Sequence, residues 1–251
     1  MIRLFALLVI LALPAKAEEV VLGLSQDAVA ITATFDGSDI LLFGAVKRED
    51  PIDLASDLQV IVTIAGPTLP ATVRRKERRL GIWVNTDVVE IDGAPSFYAV
   101  ATTAPLGDIL SDVEDLRYKI SIPRAIRSVG APMGVTDSHN FTAALIRIRA
   151  GSDLYQVREG AVDLEESTLF SAAFRLPANL TEGDYHAQIY LTRNGIVVDE
   201  YEAVIPVEKV GLERWLYNLA HEKPLIYGLM SIAIAIAAGW GASAIFSALR
   251  R

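Results

Sequence analysis

The pattern of hydrophobic and polar residues divides the chain into an apolar run at each end and a middle part of short alternating segments. In VAITATF (29–35), large apolar side chains alternate with alanine and threonine, which is typical of a strand with one buried face. Similar segments separated by turn signals follow at 40–46, 57–66, 80–85 and 97–103. They predict at least five strands at sandwich-like spacing, with Trp83 in the core.

The period changes to that of an α-helix at 107–120 and again at 138–151. Apolar residues recur there three or four positions apart: Ile109, Val113, Leu116 and Ile120 in the first segment, and Phe141, Leu145 and Ile148 in the second. Ser138 and Gly151 are suited to begin and end the second helix. We expect both helices to connect or decorate the β units.

The pattern returns to strands at 168–177 and 182–210, where Asn194-Gly195 predicts a tight hairpin turn. Tyr185, just before the alternating run, is typical of the tyrosine corner of immunoglobulin-like sandwiches. The predicted fold class is therefore mainly β, with two immunoglobulin-like β-sandwich units and helical insertions. The first unit covers 18–106, a partly helical connector 107–160, and the second unit 161–209.

The N-terminal apolar run has the features of a secretory signal peptide. Arg3 provides the positive charge, and the apolar run from Leu4 to Leu13 is too short to cross a bilayer of about 30 Å. Ala15-Lys16-Ala17 fits a cleavage site, which predicts a signal peptide over 1–17. An uncleaved N-terminal anchor is the alternative.

The C-terminal run predicts a transmembrane helix over 224–249. No charged residue occurs from Leu225 to Leu249, and Arg250–Arg251 follow as a two-residue cytoplasmic tail under the positive-inside rule. We therefore expect a single-pass protein of the bacterial inner membrane, with its body in the periplasm and its C-terminus in the cytoplasm. A buried core helix is the alternative, although such helices are rarely apolar all round.

Two further features accompany the span. Small residues, among them Ala237, Gly239, Gly241 and Ser243, could form a helix-packing face, or alanine and glycine could simply be well tolerated in lipid. Segment 210–223 has an apolar face and predicts an interfacial amphipathic helix, or one packed on the body. Trp215, Tyr217 and Tyr227 are suited to the membrane interface.

Composition excludes several classes of function. The chain has no cysteine, which rules out thiol chemistry and disulfides, and its formal net charge of −8 argues against nucleic-acid binding. Its three histidines lie far apart and form no ligand spacing. We predict no catalytic residue, no cofactor and no metal site, and hence no enzyme. A hydrolase would require a nucleophile, a base and an orienting group that the fold brings together.

One charged run interrupts the acidic body. RRKERR (74–79) supplies Arg74, Arg75, Lys76, Arg78 and Arg79 around Glu77. This run could bind an anion, a phospholipid headgroup or an acidic partner. It could equally be a solvated hairpin that protects strand edges with charge.

Several stretches resemble a family of predicted alphaproteobacterial membrane proteins named for their transmembrane segment and without an assigned activity. The similar stretches span nearly the whole chain: 23–46, 74–85, 97–106, 176–195 and 213–246. The resemblance implies a leader, an extracytoplasmic body and one C-terminal span. Some members are encoded beside sulfite-exporter-type permeases, which implies a polytopic permease as a partner.

These observations predict a non-enzymatic accessory subunit of a membrane transporter or other envelope complex. Tethering by the span would raise the effective concentration of its body at the partner. The alternative is a periplasmic module that binds a solute or an envelope component without a transporter.

Overall fold

The computed structural model describes residues 18–26, 28–32, 35–48, 57–128 and 137–249. Within them the strands are β1 Glu18–Leu24, β2 Val29–Ile31, β3 Ser38–Arg48, β4 Gln59–Ala65, β5 Thr68–Arg79, β6 Ile82–Pro95, β7 Tyr98–Thr102, β8 Tyr155–Arg158, β9 Val162–Glu165, β10 Leu169–Leu176, β11 Gly183–Arg193 and β12 Ile196–Lys209. The helices are α1 Leu106–Ile109, α2 Asp112–Tyr118, α3 Ile122–Ala125, α4 Ser138–Ala150, α5 Leu212–Glu222 and α6 Pro224–Leu249. The protein is mainly β, as the sequence predicts.

The first sheet has four antiparallel strands in the order β1-β3-β10-β9. Along β10, Phe170, Ala172, Phe174 and Leu176 are buried, whereas the residues between them are more exposed. β3 alternates in the same way, with Ile40 and Leu42 buried. The period of two therefore gives this sheet one core face and one outer face.

The second sheet has six strands in the order β2-β12-β11-β4-β7-β8, and its last pair, β7 and β8, is parallel. The middle of β4 and all of β7 are buried without alternation, because both faces of this part of the sheet are covered. On one face, Ile61, Tyr98 and Tyr190 pack with buried residues of α1, α3 and α4. The Val20 N–H donates to Asp199 Oδ2 at 3.2 Å, which joins the first sheet to the second.

The two separate immunoglobulin-like units are not confirmed. Strand β3, from the predicted first unit, pairs with β10 from the predicted second unit, and β4 pairs with β11 in the same way. Both sheets therefore combine strands from the two predicted units. Alternation along a strand shows which face is buried, but it carries no information about which distant strand lies beside it.

Two local predictions from the second half of the body are confirmed. The Tyr185 hydroxyl donates to the Thr181 carbonyl at 2.9 Å, the hydrogen bond that a tyrosine corner makes to the backbone upstream. Asn194 and Gly195 connect β11 to β12 with φ of 51° and 78°, the positive values that a type I′ turn requires.

The predicted helix over 107–120 is broken into α1 and α2. Ser111 lies between them and caps α2, because its Oγ accepts from the Glu114 N–H at 3.4 Å. The break changes the rotation of the chain, so Ile109 and Ile120 are buried whereas Val113 and Leu116 are exposed. In α4, Phe141 and Leu145 are buried as predicted, but Ile148 is exposed.

The chain divides into two compact units. One contains Asp36–Val207, and the other combines Ala30–Phe35 with Glu208–Arg251. In the second unit the Val210 N–H donates to the Ile31 carbonyl at 2.8 Å, and Lys223 alone separates α5 from α6. The predicted signal peptide and the Arg250–Arg251 tail lie outside the described residues.

Candidate functional site

The charged run forms one strand of a long β-hairpin, made of β5 and β6. Leu80 and Gly81 form its turn with φ of 49° and 85°, and Arg79 pairs with Ile82 beside it. The hairpin base joins the core through Val73 and Val89, which are both buried. Beyond this pair the hairpin is largely exposed, so Trp83, expected in the core, is instead 69% exposed.

The register of the hairpin separates the charged run into two faces. Residues directly opposite each other share a face, so Arg78 lies with Trp83, and Arg74 lies with Val88. Lys76, between the two arginines, is on that same face. We call Arg74, Lys76, Arg78 and Trp83 the cationic hairpin face.

Arg75 lies on the other face and is held by the body. Its guanidinium contacts Asp137 Oδ2 at 2.5 Å and Asp87 Oδ2 at 3.5 Å, and it lies 4.7 Å from the centre of the Phe141 ring. The hydrogen bonds from Asn140 and from Arg75 hold the pKa of Asp137 below its usual range. Asp137 therefore stays ionised in moderate acid, and this pair anchors the hairpin to the start of α4.

A basic cleft lies between β5 and α4. Its volume is about 280 Å³, large enough for a small oxyanion with its water. It is lined by Val73, Arg74, Arg75, Lys76, Asn140, Phe141, Ala144 and Arg147. Arginine and lysine donors together with an amide are the groups that bind phosphate-like or sulfate-like anions.

The α4 side of this cleft is not predicted from the sequence. Asn140, Ala144 and Arg147 are spaced i, i+4 and i+7, so they share one stripe of the helix next to buried Phe141. That spacing could have shown the stripe. What the sequence could not show is that the stripe lies beside the RRKERR strand.

The predicted membrane-interface residues lie in α5 and at the start of α6. Trp215, Tyr217 and Tyr227 are all exposed, and the Tyr217 ring stacks on His221 with 4.0 Å between ring centres. α5 is strongly amphipathic, as the sequence predicts. Their contact with a bilayer stays a prediction.

The small residues of α6 do not form a single face. An α-helix turns about 100° per residue, so the pair Ala237 and Gly241 points roughly opposite to the pair Gly239 and Ser243. All four are exposed or half-buried, and a Cβ placed on either glycine would meet no atom within 4 Å. Both sides of the helix are therefore open to close approach by another helix.

Within the described part of the chain, no group of three or more His, Asp or Glu residues could hold a metal ion. His186 lies on the surface, 2.5 Å from Glu202, and His139 is also exposed. The structure therefore does not bring the histidines together.

A family model described as "Putative transmembrane protein" (Alph_Pro_TM) matches residues 19–248. No curated protein matches the chain. Among the described residues one helix is long and apolar enough to cross a membrane, with its candidate span over Pro224–Ser243 and a mean hydropathy of 1.8.

Proposed function

Since this chain belongs to the alphaproteobacterial "Putative transmembrane protein" family, we propose that it is a non-enzymatic accessory subunit of a membrane complex. It is a membrane protein with one candidate C-terminal span. The observation that carries the proposal is α6 itself. Over 26 residues it has no charged side chain, and no part of its candidate span is buried.

The proposed orientation places the β body in the periplasm and the C-terminus in the cytoplasm of the inner membrane. Arg250–Arg251 follow the span directly, and the N-terminal run has the composition of an exported leader. The surfaces proposed for recognition by a partner are the body, α5 and the span.

The proposed partner is a polytopic membrane protein of the sulfite-exporter permease type. Close helix packing drives association in lipid, and the open small-residue pairs of α6 allow such packing. Anchoring then makes a weak contact between the body and the partner's outer loops intramolecular, which strengthens it without further contact area.

Replacement of both Ala237 and Gly241 by Leu is expected to lower recovery of a neighbouring permease about tenfold, the effect of 1–2 kcal/mol of helix packing. The measurement is crosslinking in intact cells, then purification in detergent and mass spectrometry. Ile236→Leu, which keeps a bulky residue bulky, is the matched control. Recovery of the unaltered chain only as a monomer would contradict the proposal.

A second candidate function, a periplasmic anion-binding module, is favoured by the basic cleft. Arg147 is exposed at its lining, so an oxyanion can reach this guanidinium without a change in the fold. Arg74 and Lys76 also line the cleft, although they belong to the cationic hairpin face and not to the face of Arg75. Such a module would act without a transporter, and its ligand would be a small sulfate-like or phosphate-like anion.

Sulfite, sulfate or phosphate at ten times its Kd is expected to stabilise the detergent-solubilised full chain by about 1.4 kcal/mol, or about 3–5 °C in Tm. Arg147→Gln should lose most of this shift, because it removes a cation from the cleft lining. Arg124→Gln, on α3 and outside the cleft, is the matched control. A shift no larger than that in chloride of equal ionic strength would remove this candidate.

A further inference from the structure

The end of the β5–β6 hairpin exposes large apolar side chains to solvent. Leu80 is fully exposed, Ile82 is 65% exposed and Trp83 is 69% exposed. We call these three residues, with Gly81 of the turn, the hairpin tip. A turn in water is ordinarily polar, so three large apolar residues among the four positions 80–83 point to an environment other than water.

Cations flank the hairpin tip on both faces. Arg78 lies directly opposite Trp83, and Arg79 lies directly opposite Ile82. Arg79 approaches Glu77 at 3.5 Å on an exposed surface, a pair that contributes little. Glu77 is the only acidic residue between Arg74 and Asp87, so the distal part of the hairpin is strongly positive.

The hairpin tip also stands away from the core of its own unit. Leu80 lies seven positions after Val73, the last buried residue of β5, which corresponds to roughly 24 Å of extended strand. Body side chains therefore do not cover the tip, and the exposed Trp83 ring shows this directly.

The chain itself brings a bilayer within reach of the body. Residues 210–223 are all that separate the last strand from α6, and α5 takes up most of them. Their combined length is at most about 27 Å, given the rise of a helix and of extended chain. A surface element on the body is therefore held at a high effective concentration next to lipid.

We infer that the hairpin tip docks into the headgroup layer of an anionic phospholipid surface. Trp83 and Ile82 would enter the interfacial region, where tryptophan is most stable, and Arg78 and Arg79 would contact lipid phosphates. An anionic bilayer provides apolar depth and negative charge together, which complement the apolar side chains and the positive charge of this tip. The inference needs only the membrane anchor, so it holds or fails independently of any permease.

The test measures the fluorescence of Trp83 alone in the membrane-anchored full chain. The chain contains three tryptophans, so Trp215→Phe with Trp240→Phe leaves Trp83 as the single fluorophore. This protein is reconstituted in phosphatidylcholine vesicles and in vesicles with about one quarter phosphatidylglycerol, a content that gives the surface a negative potential. Emission wavelength and quenching by lipids with brominated acyl chains report the depth of the ring.

In the anionic vesicles we expect emission at shorter wavelength and strong quenching by brominated lipid, and both effects should be weaker in the neutral vesicles. Arg78→Glu with Arg79→Glu should lower the equilibrium constant for docking at least about 25-fold, since each cation near such a surface contributes about fivefold. Lys47→Glu with Arg175→Glu makes the same charge change on the outer face of the first sheet and should have no effect.

Water-like, unquenched emission of Trp83 in the anionic vesicles would overturn the inference. So would equal quenching in both vesicle types, since the arginines would then have no role. A photocrosslinker at position 83 that labels protein and no lipid in cells would also overturn it, and would assign the tip to a protein partner. Unchanged far-UV circular dichroism of the Arg78→Glu and Arg79→Glu variant shows that lost docking is not lost folding.

Discussion

Replacement of both Ile232 and Ile236 by Asp is expected to release the protein from the membrane into the soluble periplasmic fraction. Both side chains are exposed within the candidate span and lie one helical turn apart. Exchanging Ile for Asp near the centre of a span costs about 4 kcal/mol of insertion free energy, or about 8 kcal/mol for the pair. No neighbouring helix within the described chain shields these positions.

The measurement is alkaline extraction of membranes together with osmotic shock, followed by detection of the full chain. Ile232→Leu with Ile236→Leu is the matched control and should remain in the membrane pellet. Retention of the Asp variant in the pellet would show that α6 is not the anchor. Its appearance in the cytoplasm would contradict the proposed orientation of the body.

Phe174→Ala is expected to lower the free energy of unfolding by about 3–5 kcal/mol. The Phe174 ring is 0% exposed on the core face of β10, so its removal leaves a cavity between packed layers. Phe43→Ala is the matched control. Phe43 lies on β3 of the same sheet but on its outer face, where 45% of it is exposed, and its loss should cost about 1 kcal/mol or less.

Chemical denaturation of the full chain in detergent, followed by far-UV circular dichroism, measures both variants. The large difference between two identical substitutions follows only from the direction in which each ring points. Equal destabilisation by the two variants would mean that the first sheet is covered on both faces, and the sidedness described above would be wrong.

Local chemistry explains the parts of the fold that the sequence predicts. The Asn194-Gly195 turn follows from the positive φ that these two residues tolerate, and the Tyr185 hydrogen bond spans four residues. The α6 span can be identified from the sequence without knowledge of its tertiary contacts, because its length and its lack of charge are sufficient. Each of these signals lies within one continuous segment of the chain.

The predictions that are wrong or not confirmed depend on contacts between residues that are far apart in the sequence. The segment around Trp83 alternates like a core strand. The hairpin nevertheless extends beyond the buried Val73–Val89 pair, so no part of the described body covers the Trp83 ring. The two immunoglobulin-like units are not confirmed, because β3 and β4 each also pair with a strand that lies more than a hundred residues away. The β5 side of the candidate cleft is evident in the sequence as a run of charged residues. The α4 side is brought next to it only by tertiary packing.

The pairing of β3 with β10 and of β4 with β11 has a consequence for how the chain is made. A ribosome delivers a polypeptide from its N-terminus, so β1, β3 and β4 emerge long before Leu169–Arg193 are available to them. Until then these strands have unsatisfied edges that invite association with other chains. We therefore expect both sheets to be completed only after Arg193 is available, and a nascent fragment ending before residue 169 to be prone to aggregation.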